Sequence, residues 1–170
     1  MTNQSNRTAV ITGAGDGIGR ALAINLNSCG IDLYLCDIDR ERLDATAGML
    51  NSDGVTVSTA VVDCGNREQI ETWAAMICAE NDSLDFLFNN AGVGYASPFR
   101  DASLENFEWL MNINYWGVVW STKAFLPLLE ASTAGHLVNI SSIFGMVGIA
   151  TQSAYNSAKF AVRGFTESLQ

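Results

Sequence analysis

The residues best suited to chemistry lie near the end of the sequence, where Tyr155 and Lys159 are four positions apart. In a helix this spacing puts both side chains on one face. A free phenol ionises only near about pH 10, but a nearby ammonium group stabilises the phenolate. The pair therefore predicts a general acid/base that exchanges a proton with an alcohol or carbonyl oxygen. Taken alone, the spacing is explained better by the surface of an amphipathic helix.

Ser142 adds a third polar group to this pair. It follows an apolar run at residues 136–141 that has the composition of a buried strand, and it lies 13 residues before Tyr155. Ligands bind at the carboxyl ends of strands in open α/β sheets. We therefore expect the Ser142 hydroxyl to lie near the same substrate oxygen, to which it could donate a hydrogen bond.

A glycine-rich segment close to the N-terminus predicts a phosphate-binding turn. Gly13, Gly15, Gly17 and Gly19 follow the β-branched run Thr8–Thr12 and open a helical pattern. Glycines let the backbone turn tightly and approach a pyrophosphate, whose charge is stabilised by the amides and dipole at a helix N-terminus. A plain strand-to-helix turn has similar glycines, but the position between a strand and a helix favours dinucleotide binding.

Two carboxylates favour NAD over NADP. Asp37 ends the second predicted strand, 20 residues after Gly17, where it could accept hydrogen bonds from an adenosine ribose. A carboxylate there would repel the extra phosphate of NADP, and Asp16 adds negative charge within the glycine turn. The alternative for Asp37 is a solvated carboxylate beside Arg40.

Strand-like and helical patterns alternate along the chain. Continuous apolar strands separated by helices are typical of a parallel sheet covered on both faces and built from right-handed βαβ units. We predict an α/β fold, a doubly wound, Rossmann-like parallel sheet, in one domain spanning residues 1–170. The predicted strands are 8–12, 32–36, 55–62, 84–89 and 136–141, and the predicted helices are 17–29, 39–50, 66–80, 103–130 and 153–170.

These motifs appear together in the order found in the short-chain dehydrogenase/reductase family, which the sequence closely resembles from Arg7 to Gln170. They are TGAGDGIG at residues 12–19, Asp63 after the third predicted strand, NNAG at 89–92, Asn114 in MNINYWG, NISS at 139–142 and YNSAK at 155–159. The resemblance implies an NAD(P)-dependent oxidoreductase that interconverts alcohols and carbonyls by hydride transfer and needs no metal.

The resemblance also implies roles for individual residues. Tyr155 would be the acid/base, Ser142 would orient and polarise the substrate oxygen, and Lys159 would favour the phenolate and hold the nicotinamide ribose. Asn114 would support a water in the proton relay, and Asp63 would contact adenine. The implied cofactor-binding residues are Gly13, Gly15, Asp16, Gly17, Ile18, Gly19, Asp37, Asp63, Asn90, Ala91, Gly92, Tyr155 and Lys159.

Members of this family normally continue past the helix that carries the tyrosine and lysine. They add two strands, a segment that contacts the nicotinamide carboxamide and a mobile loop over the substrate. Because five of the usual seven strands are visible here, the sequence predicts a C-terminally truncated NAD-binding domain. It is either part of an active dehydrogenase or a non-catalytic NAD-binding fragment. A methyltransferase with a similar glycine turn is disfavoured, since it would have no use for the tyrosine–lysine pair.

Composition excludes some classes of binding partner and indicates a cellular compartment. The chain has 9 basic and 18 acidic side chains and a net charge of −9, a field that would attract neither nucleic acid nor an anionic membrane. No apolar run approaches the roughly 18–20 residues of a membrane span. Four cysteines without a CxxC pairing are typical of thiols in a reducing compartment, which predicts a cytoplasmic protein. The chain has a single histidine, His136, which excludes a multi-histidine metal site. It is interpreted as a loop or strand-start residue and not as a catalytic base.

Two apolar features have both a structural and a functional interpretation. Trp109, Trp116 and Trp120 share one face of the predicted helix 103–130, and an alanine–phenylalanine stripe follows helix 153–170. These helices either complete the core or form a homodimer, as family members do. The apolar segment 143–149 (IFGMVGI) either packs on the sheet or lines a pocket for a hydrophobic alcohol or ketone.

Overall fold

Five parallel strands form one sheet in the computed structural model, which describes residues 6–51 and 53–169. The strand order is β3-β2-β1-β4-β5, and every neighbouring pair is parallel. This confirms the predicted α/β fold with a doubly wound, Rossmann-like sheet. The strands are β1 (Thr8–Thr12), β2 (Asp32–Asp37), β3 (Val57–Val61), β4 (Phe86–Asn89) and β5 (His136–Asn139).

Six α-helices connect and cover the described strands. Most begin at a side chain that accepts a hydrogen bond from a first-turn amide, as Asp16, Asp39, Asn66 and Ser103 do, which satisfies one of the amides that a helix leaves free. The helices are α1 (Gly17–Ser28), α2 (Arg40–Ala47), α3 (Arg67–Glu80), α4 (Leu104–Met111), α5 (Gly117–Ala131) and α6 (Ser153–Glu167). Among the described residues, none of the helices has the length and apolar character needed to cross a membrane.

The alternating side chains of β1 explain why helices are needed on both faces. Val10 belongs to a buried cluster with residues of α3 and α5, such as Trp73 and Phe125. Its neighbours Ala9 and Ile11 belong to a second cluster with residues of α1 and α2. Successive strand residues point to opposite faces, so an apolar run on a central strand is buried only if both faces are covered.

The predicted helical stretch over 103–130 is confirmed, but it is not a regular α-helix throughout. The chain makes a π-helical turn at Asn112–Trp116 between α4 and α5. Within that turn Asn114 is fully buried. Its Nδ2 donates to the Val93 carbonyl oxygen and its Oδ1 accepts from the Val93 amide, each at 2.8 Å. A π turn held by such a tertiary contact leaves no mark in an apolar pattern, and such turns are frequent at functional sites.

The predicted bounds of two elements near the end of the chain also need correction. Strand β5 stops at Asn139 instead of 141, because its partner β4 ends at Asn89, the residue paired with Asn139. Helix α6 ends at Glu167, since Ser168 donates both its main-chain N–H and its hydroxyl to Phe165 O. The predicted helix end at Gln170 lies outside the described residues.

A chain of polar side chains crosses the sheet between α5 and α6. Asn89 of β4 donates to Thr122 of α5 at 3.0 Å and to Asn139 of β5 at 2.8 Å. Asn139 in turn donates to Thr166 of α6 at 2.9 Å. Asn89 and Asn139 are also register partners in the sheet. Two helices and two strands are therefore connected by direct side-chain hydrogen bonds.

The turn from β1 to α1 brings backbone segments into close approach. Gly13 and Gly17 have φ values of +65° and +55°, in the left-handed region that favours glycine. At Gly19 the requirement for glycine is steric, because a Cβ there would collide with the Gly13 carbonyl oxygen and stand 2.7 Å from Asn90 Nδ2.

We expect Gly19→Ala to destabilise the chain, because the obstructing atom belongs to the backbone and cannot rotate away. The free energy of unfolding should fall by about 1–3 kcal/mol, as in overpacked cores. Gly164→Ala in α6 is the matched control. Its Cβ would meet no heavy atom within 4 Å, so the free energy of unfolding should rise by about 0.5–1 kcal/mol. Urea denaturation of both variants tests this, and equal effects would contradict it.

Candidate active site

The loops at the carboxyl ends of the strands enclose two adjoining cavities. One, of about 640 Å³, follows the ends of β1, β2, β3 and β4. The other, of about 590 Å³, lies between the ends of β4 and β5 and the start of α6. Both are lined by Ile18, Asn90, Gly92 and Val93, so they form one cleft. We name the first the dinucleotide cavity and the second the tyrosine cavity.

Most of the predicted cofactor-binding residues lie around the dinucleotide cavity. Gly15 and Gly19 are not among its lining residues but lie behind it, where Gly19 packs on Gly13 and Gly15 packs on Asp37. Tyr155 and Lys159 line the tyrosine cavity. The predicted residues that line the dinucleotide cavity are Gly13, Asp16, Gly17, Ile18, Asp37, Asp63, Asn90, Ala91 and Gly92.

Asp37 is held against the glycine turn. One carboxylate oxygen accepts from the Gly15 amide at 2.8 Å, and the other accepts from the Asp39 amide at 3.0 Å. Arg40, the partner considered in the solvated alternative, lies 3.9 Å from Asp44. The carboxylate therefore borders the cavity in a fixed orientation.

Asn90 and Asp63 organise two further loops around the cavity. The Asn90 amide donates to the carbonyl oxygens of Thr12 and Gly13 at 2.9 and 3.0 Å. It ties the end of β4 to the start of the glycine turn. Asp63 accepts from the Gly65 amide at 2.8 Å and donates its own amide to Gln69 at 2.8 Å, which shapes the loop after β3.

Arg42 is a cavity residue that the sequence analysis does not identify. Its guanidinium lies 3.4 Å from Asp16 and 3.1 Å from Asp39. It brings positive charge to the end of the cavity that also contains Asp37. No sequence signal marks it, because it is one of several charged residues of α2 and only the position of that helix brings it to the cavity.

Ser142, Tyr155 and Lys159 line the tyrosine cavity together. Ser142 Oγ accepts from the Phe144 amide at 3.2 Å. The Phe144 ring packs edge-on against Tyr155, with ring centroids 5.8 Å apart and an interplanar angle of 86°. The side chains predicted to act on one substrate oxygen therefore border the same space.

Lys159 is a buried cation with a defined partner. It is 4% exposed, its Nζ donates to the Ile140 carbonyl oxygen at 2.7 Å, and Nζ lies 5.7 Å from the centroid of the Tyr155 ring. Burial lowers the pKa of Lys159 from 10.5 to about 8, because desolvation penalises the ammonium form.

Asn114 lies outside the lining of both cavities. Its side-chain amide is hydrogen-bonded to the main chain of Val93, and Val93 lines both cavities. The side chain therefore fixes the loop after β4. Support of a relay water by Asn114 stays a prediction.

The dinucleotide cavity has the features that a pyrophosphate needs. Helix α1 begins at Gly17, which lines the cavity and has no heavy atom within 4 Å of the place where a Cβ would stand. Gly17 itself therefore leaves space for a phosphate group near the positive end of the helix, although the Asp16 carboxylate accepts from the Gly17 amide at 2.8 Å. Within residues 6–51 and 53–169 no group of three or more histidine, cysteine, aspartate or glutamate side chains could hold a metal ion.

The lowered pKa of Lys159 predicts a specific pH dependence of stability. The unfolded lysine keeps its ordinary pKa of 10.5, so the folded ammonium costs stability below about pH 8 and the cost is relieved as the pH rises toward 10.5. Between about pH 7 and pH 9.5 the free energy of unfolding of the unaltered chain should rise by up to about 2 kcal/mol relative to Lys159→Met. Urea titrations at both pH values measure this, and parallel pH profiles would contradict it.

Comparison with known proteins agrees with this geometry. The sequence model of the family described as short chain dehydrogenase matches residues 7–170. SadH of Mycobacterium tuberculosis, which is named as an oxidoreductase, is 43% identical over 170 residues, covering 100% of this chain and 62% of the relative. Estradiol 17-beta-dehydrogenase 11 of Homo sapiens is 39% identical over 160 residues, covering 94% of this chain and 53% of the relative. The chain thus spans less than two thirds of the length of these relatives.

Two solved structures share the fold. A short chain dehydrogenase/reductase from Burkholderia phymatum in complex with NAD is 34% identical, with a TM-score of 0.91, over 99% of this chain and 60% of that one. A metagenomic short-chain oxidoreductase in complex with NADP is 31% identical, also with a TM-score of 0.91, over 97% of this chain and 75% of that one. These likenesses and the sequence model confirm the resemblance noted in the motifs: the chain belongs to the short-chain dehydrogenase family.

Proposed function

We propose that this chain forms the cofactor-binding and catalytic part of an oxidoreductase that interconverts an alcohol and a carbonyl by hydride transfer. The observation that carries the proposal is the tyrosine cavity, in which the buried Lys159 lies beside Tyr155 and shares the cavity with Ser142. The adjoining dinucleotide cavity would bring a nicotinamide to the same place. Relatives named as dehydrogenases, and neighbours bound to NAD or NADP, support this assignment.

A bound nicotinamide dinucleotide would supply the hydride acceptor or donor. The chain's own residues would manage the proton. Ser142 Oγ would donate a hydrogen bond to the substrate oxygen, and Tyr155 would accept the alcohol proton or return it to the carbonyl oxygen. The Lys159 ammonium would stabilise the phenolate form of Tyr155. Its bond to the Ile140 carbonyl keeps the ammonium in place before any ligand binds.

The dinucleotide would be held by the residues around the first cavity. The pyrophosphate would approach the start of α1 at Gly17 and Ile18, while Asp63 would contact adenine at the end of β3. Asn90, Ala91 and Gly92 would line the passage toward the nicotinamide, because Asn90 and Gly92 border both cavities.

We further propose NAD as the preferred cofactor. The fixed Asp37 carboxylate borders the cavity and would repel a ribose phosphate. Arg42 brings an opposing charge, but Asp16 and Asp39 accompany it. Arg20 also lies 3.6 Å from Asp16, so three carboxylates stand against two guanidinium groups around this end of the cavity, and the local balance is negative.

The proposed substrate is an apolar alcohol or ketone. In the segment after Ser142, Ile143, Met146, Val147 and Ile149 are 43–62% exposed, so a large part of each side chain is open to solvent. Phe144, from the same segment, lines the tyrosine cavity. An apolar molecule that entered this cavity would meet Phe144 and remove apolar surface from water.

We also propose a homodimer formed through the outer faces of α4, α5 and α6. Trp109, Trp116 and Phe160 are 46%, 43% and 44% exposed, and the Trp116 and Trp120 rings stack at 6.1 Å. Exposed aromatic surface of this kind is enriched at interfaces. Sedimentation as a monomer at micromolar concentration would contradict the dimer.

Removal of the Tyr155 hydroxyl should separate chemistry from cofactor binding. We expect Tyr155→Phe to lower the rate of NAD reduction by secondary alcohols about 10²–10⁴-fold, because a positioned acid/base contributes that much. The Kd for NADH, measured by calorimetry, should change by less than about twofold. Tyr34→Phe is the control, since the Tyr34 hydroxyl bonds to Asn81 and lines neither cavity.

Binding of NADH without turnover, unchanged by Tyr155→Phe, would instead favour the alternative that this chain is a non-catalytic NAD-binding unit. That alternative is motivated by the chain's span of 53–62% of its relatives.

The cofactor preference is tested by binding alone. NADH should bind at least about tenfold more tightly than NADPH, because a like charge beside the extra phosphate is unfavourable. Asp37→Asn should reduce this ratio, while Asp44→Asn, which removes an equal charge from an exposed site outside the cavity, should leave it unchanged. Equal or tighter binding of NADPH by the unaltered chain would overturn the preference.

A further inference from the structure

Asn156 lies between Tyr155 and Lys159, yet the proposed chemistry does not use it. It is 8% exposed, and its amide is bonded to the main chain at three points of the segment after Ser142. Nδ2 donates to the carbonyl oxygens of Phe144 at 2.6 Å and Val147 at 2.8 Å. Oδ1 accepts from the Ile149 amide at 3.1 Å.

These bonds use both Nδ2 donors and the acceptor of the side chain. The three main-chain groups belong to a segment without strand partners, so they need hydrogen bonds from elsewhere when they are shielded from water. Asparagine is a weaker helix former than alanine. Its presence in the first turn of α6 is therefore explained by this contact rather than by helix propensity.

The rest of the segment is constrained by additional contacts. The Ser97 amide donates to the Thr151 carbonyl oxygen at 2.8 Å. Thr151 has a φ of +68°, which is unfavourable for a β-branched residue and persists only where surrounding contacts impose it. The path from Ser142 to α6 is thus determined by contacts at its ends and by Asn156 in its middle.

The position of this segment sets the geometry of the tyrosine cavity. Phe144, whose carbonyl Asn156 binds, packs its ring on Tyr155 and donates its amide to Ser142 Oγ. Gly145 lies so close to α6 that a Cβ there would stand 2.7 Å from the Lys159 carbonyl oxygen. A shift of the segment would therefore move Phe144 and Ser142 relative to Tyr155.

We propose that Asn156 is a positioning residue that holds the segment 143–149 so that Phe144 forms an apolar wall of the tyrosine cavity, and that it thereby selects apolar substrates over small polar ones. The inference rests on the proposed function, because the wall matters only if an alcohol or ketone binds beside Tyr155. Asn156 would act through Phe144 and Ser142 and would not itself contact the substrate.

NMR of the ¹⁵N-labelled chain tests the proposal without turnover. The Ile149 amide should exchange with solvent about tenfold faster in Asn156→Ala, because its acceptor is lost. In the presence of NADH, which does not react with an alcohol, the Kd for 2-heptanol should rise about fivefold, while that for 2-propanol should change less than twofold. The Kd for NADH should stay within about twofold, since Asn156 is not among the residues that line the dinucleotide cavity.

Two variants make the result specific. Gly148→Ala alters the same segment at a place where a Cβ meets no heavy atom within 4 Å, and it should leave the Ile149 exchange rate and both alcohol affinities unchanged. Asn156→Ser keeps one donor and one acceptor and should give intermediate exchange and intermediate 2-heptanol affinity. If the alanine variant does not fold, Asn156→Ser takes its place, and the Ile149 exchange rate and the two alcohol affinities are judged in the same way.

The outcomes separate this inference from the proposed function. Unchanged protection of the Ile149 amide in Asn156→Ala would overturn the positioning role. If Asn156→Ala raised the Kd values for 2-heptanol and 2-propanol equally, the proposed selectivity of the wall would be overturned. The same conclusion would follow if the unaltered chain with NADH did not bind 2-heptanol. Failure of the unaltered chain to bind NADH would overturn the proposed function and, with it, the proposed selectivity of the wall. The exchange rate of the Ile149 amide would still decide whether Asn156 holds the segment.

Discussion

The parallel direction of all five strands is the constraint on which the rest of this structure depends. Parallel neighbours require crossover connections, so the loop after each strand emerges at the same edge of the sheet. The chain builds β2 and β3 to one side of β1 and then β4 and β5 to the other. The loops diverge where this order reverses, which opens a crevice there. The residues shared by both cavities, including Asn90 and Gly92, follow β4 at this point.

Hydrogen bonds from side chains to distant main-chain groups give this crevice its fixed shape. Asn90 binds the glycine turn, Asn114 binds the loop after β4, and Lys159 binds the end of β5. Each bond joins two elements that are far apart in sequence, and each is present before a ligand binds. A site whose polar groups are already oriented needs little reorganisation during the reaction. The cost is a desolvated ammonium, visible in the lowered pKa of Lys159.

The sequence predicts the sheet well because its signal is local: a buried parallel strand is a continuous apolar run, and β1 is found at its observed bounds. It also predicts the residues that the structure brings to the two cavities, since the motifs follow the strands. It fails where a tertiary contact determines the backbone. The π turn contains Asn114, which bonds to Val93, and β5 ends where its partner strand β4 ends. Arg42 and Asn156 are not predicted for a similar reason. Asp16, which Arg42 contacts, is far from it in sequence, and the groups that Asn156 binds are main-chain atoms, which residue types do not reveal.

The polar chain from Thr122 through Asn89 and Asn139 to Thr166 has a consequence for cooperativity. Strand β5 lies at the edge of the described sheet and pairs only with β4 there, a position from which strands readily fray. Because Asn139 is bonded on one side to Asn89 and on the other to Thr166, β5 cannot detach without breaking partly buried hydrogen bonds to both the neighbouring strand and a helix. Regions joined in this way tend to open as one unit rather than residue by residue. We therefore expect the edge strand and the helix that carries Tyr155 to open together.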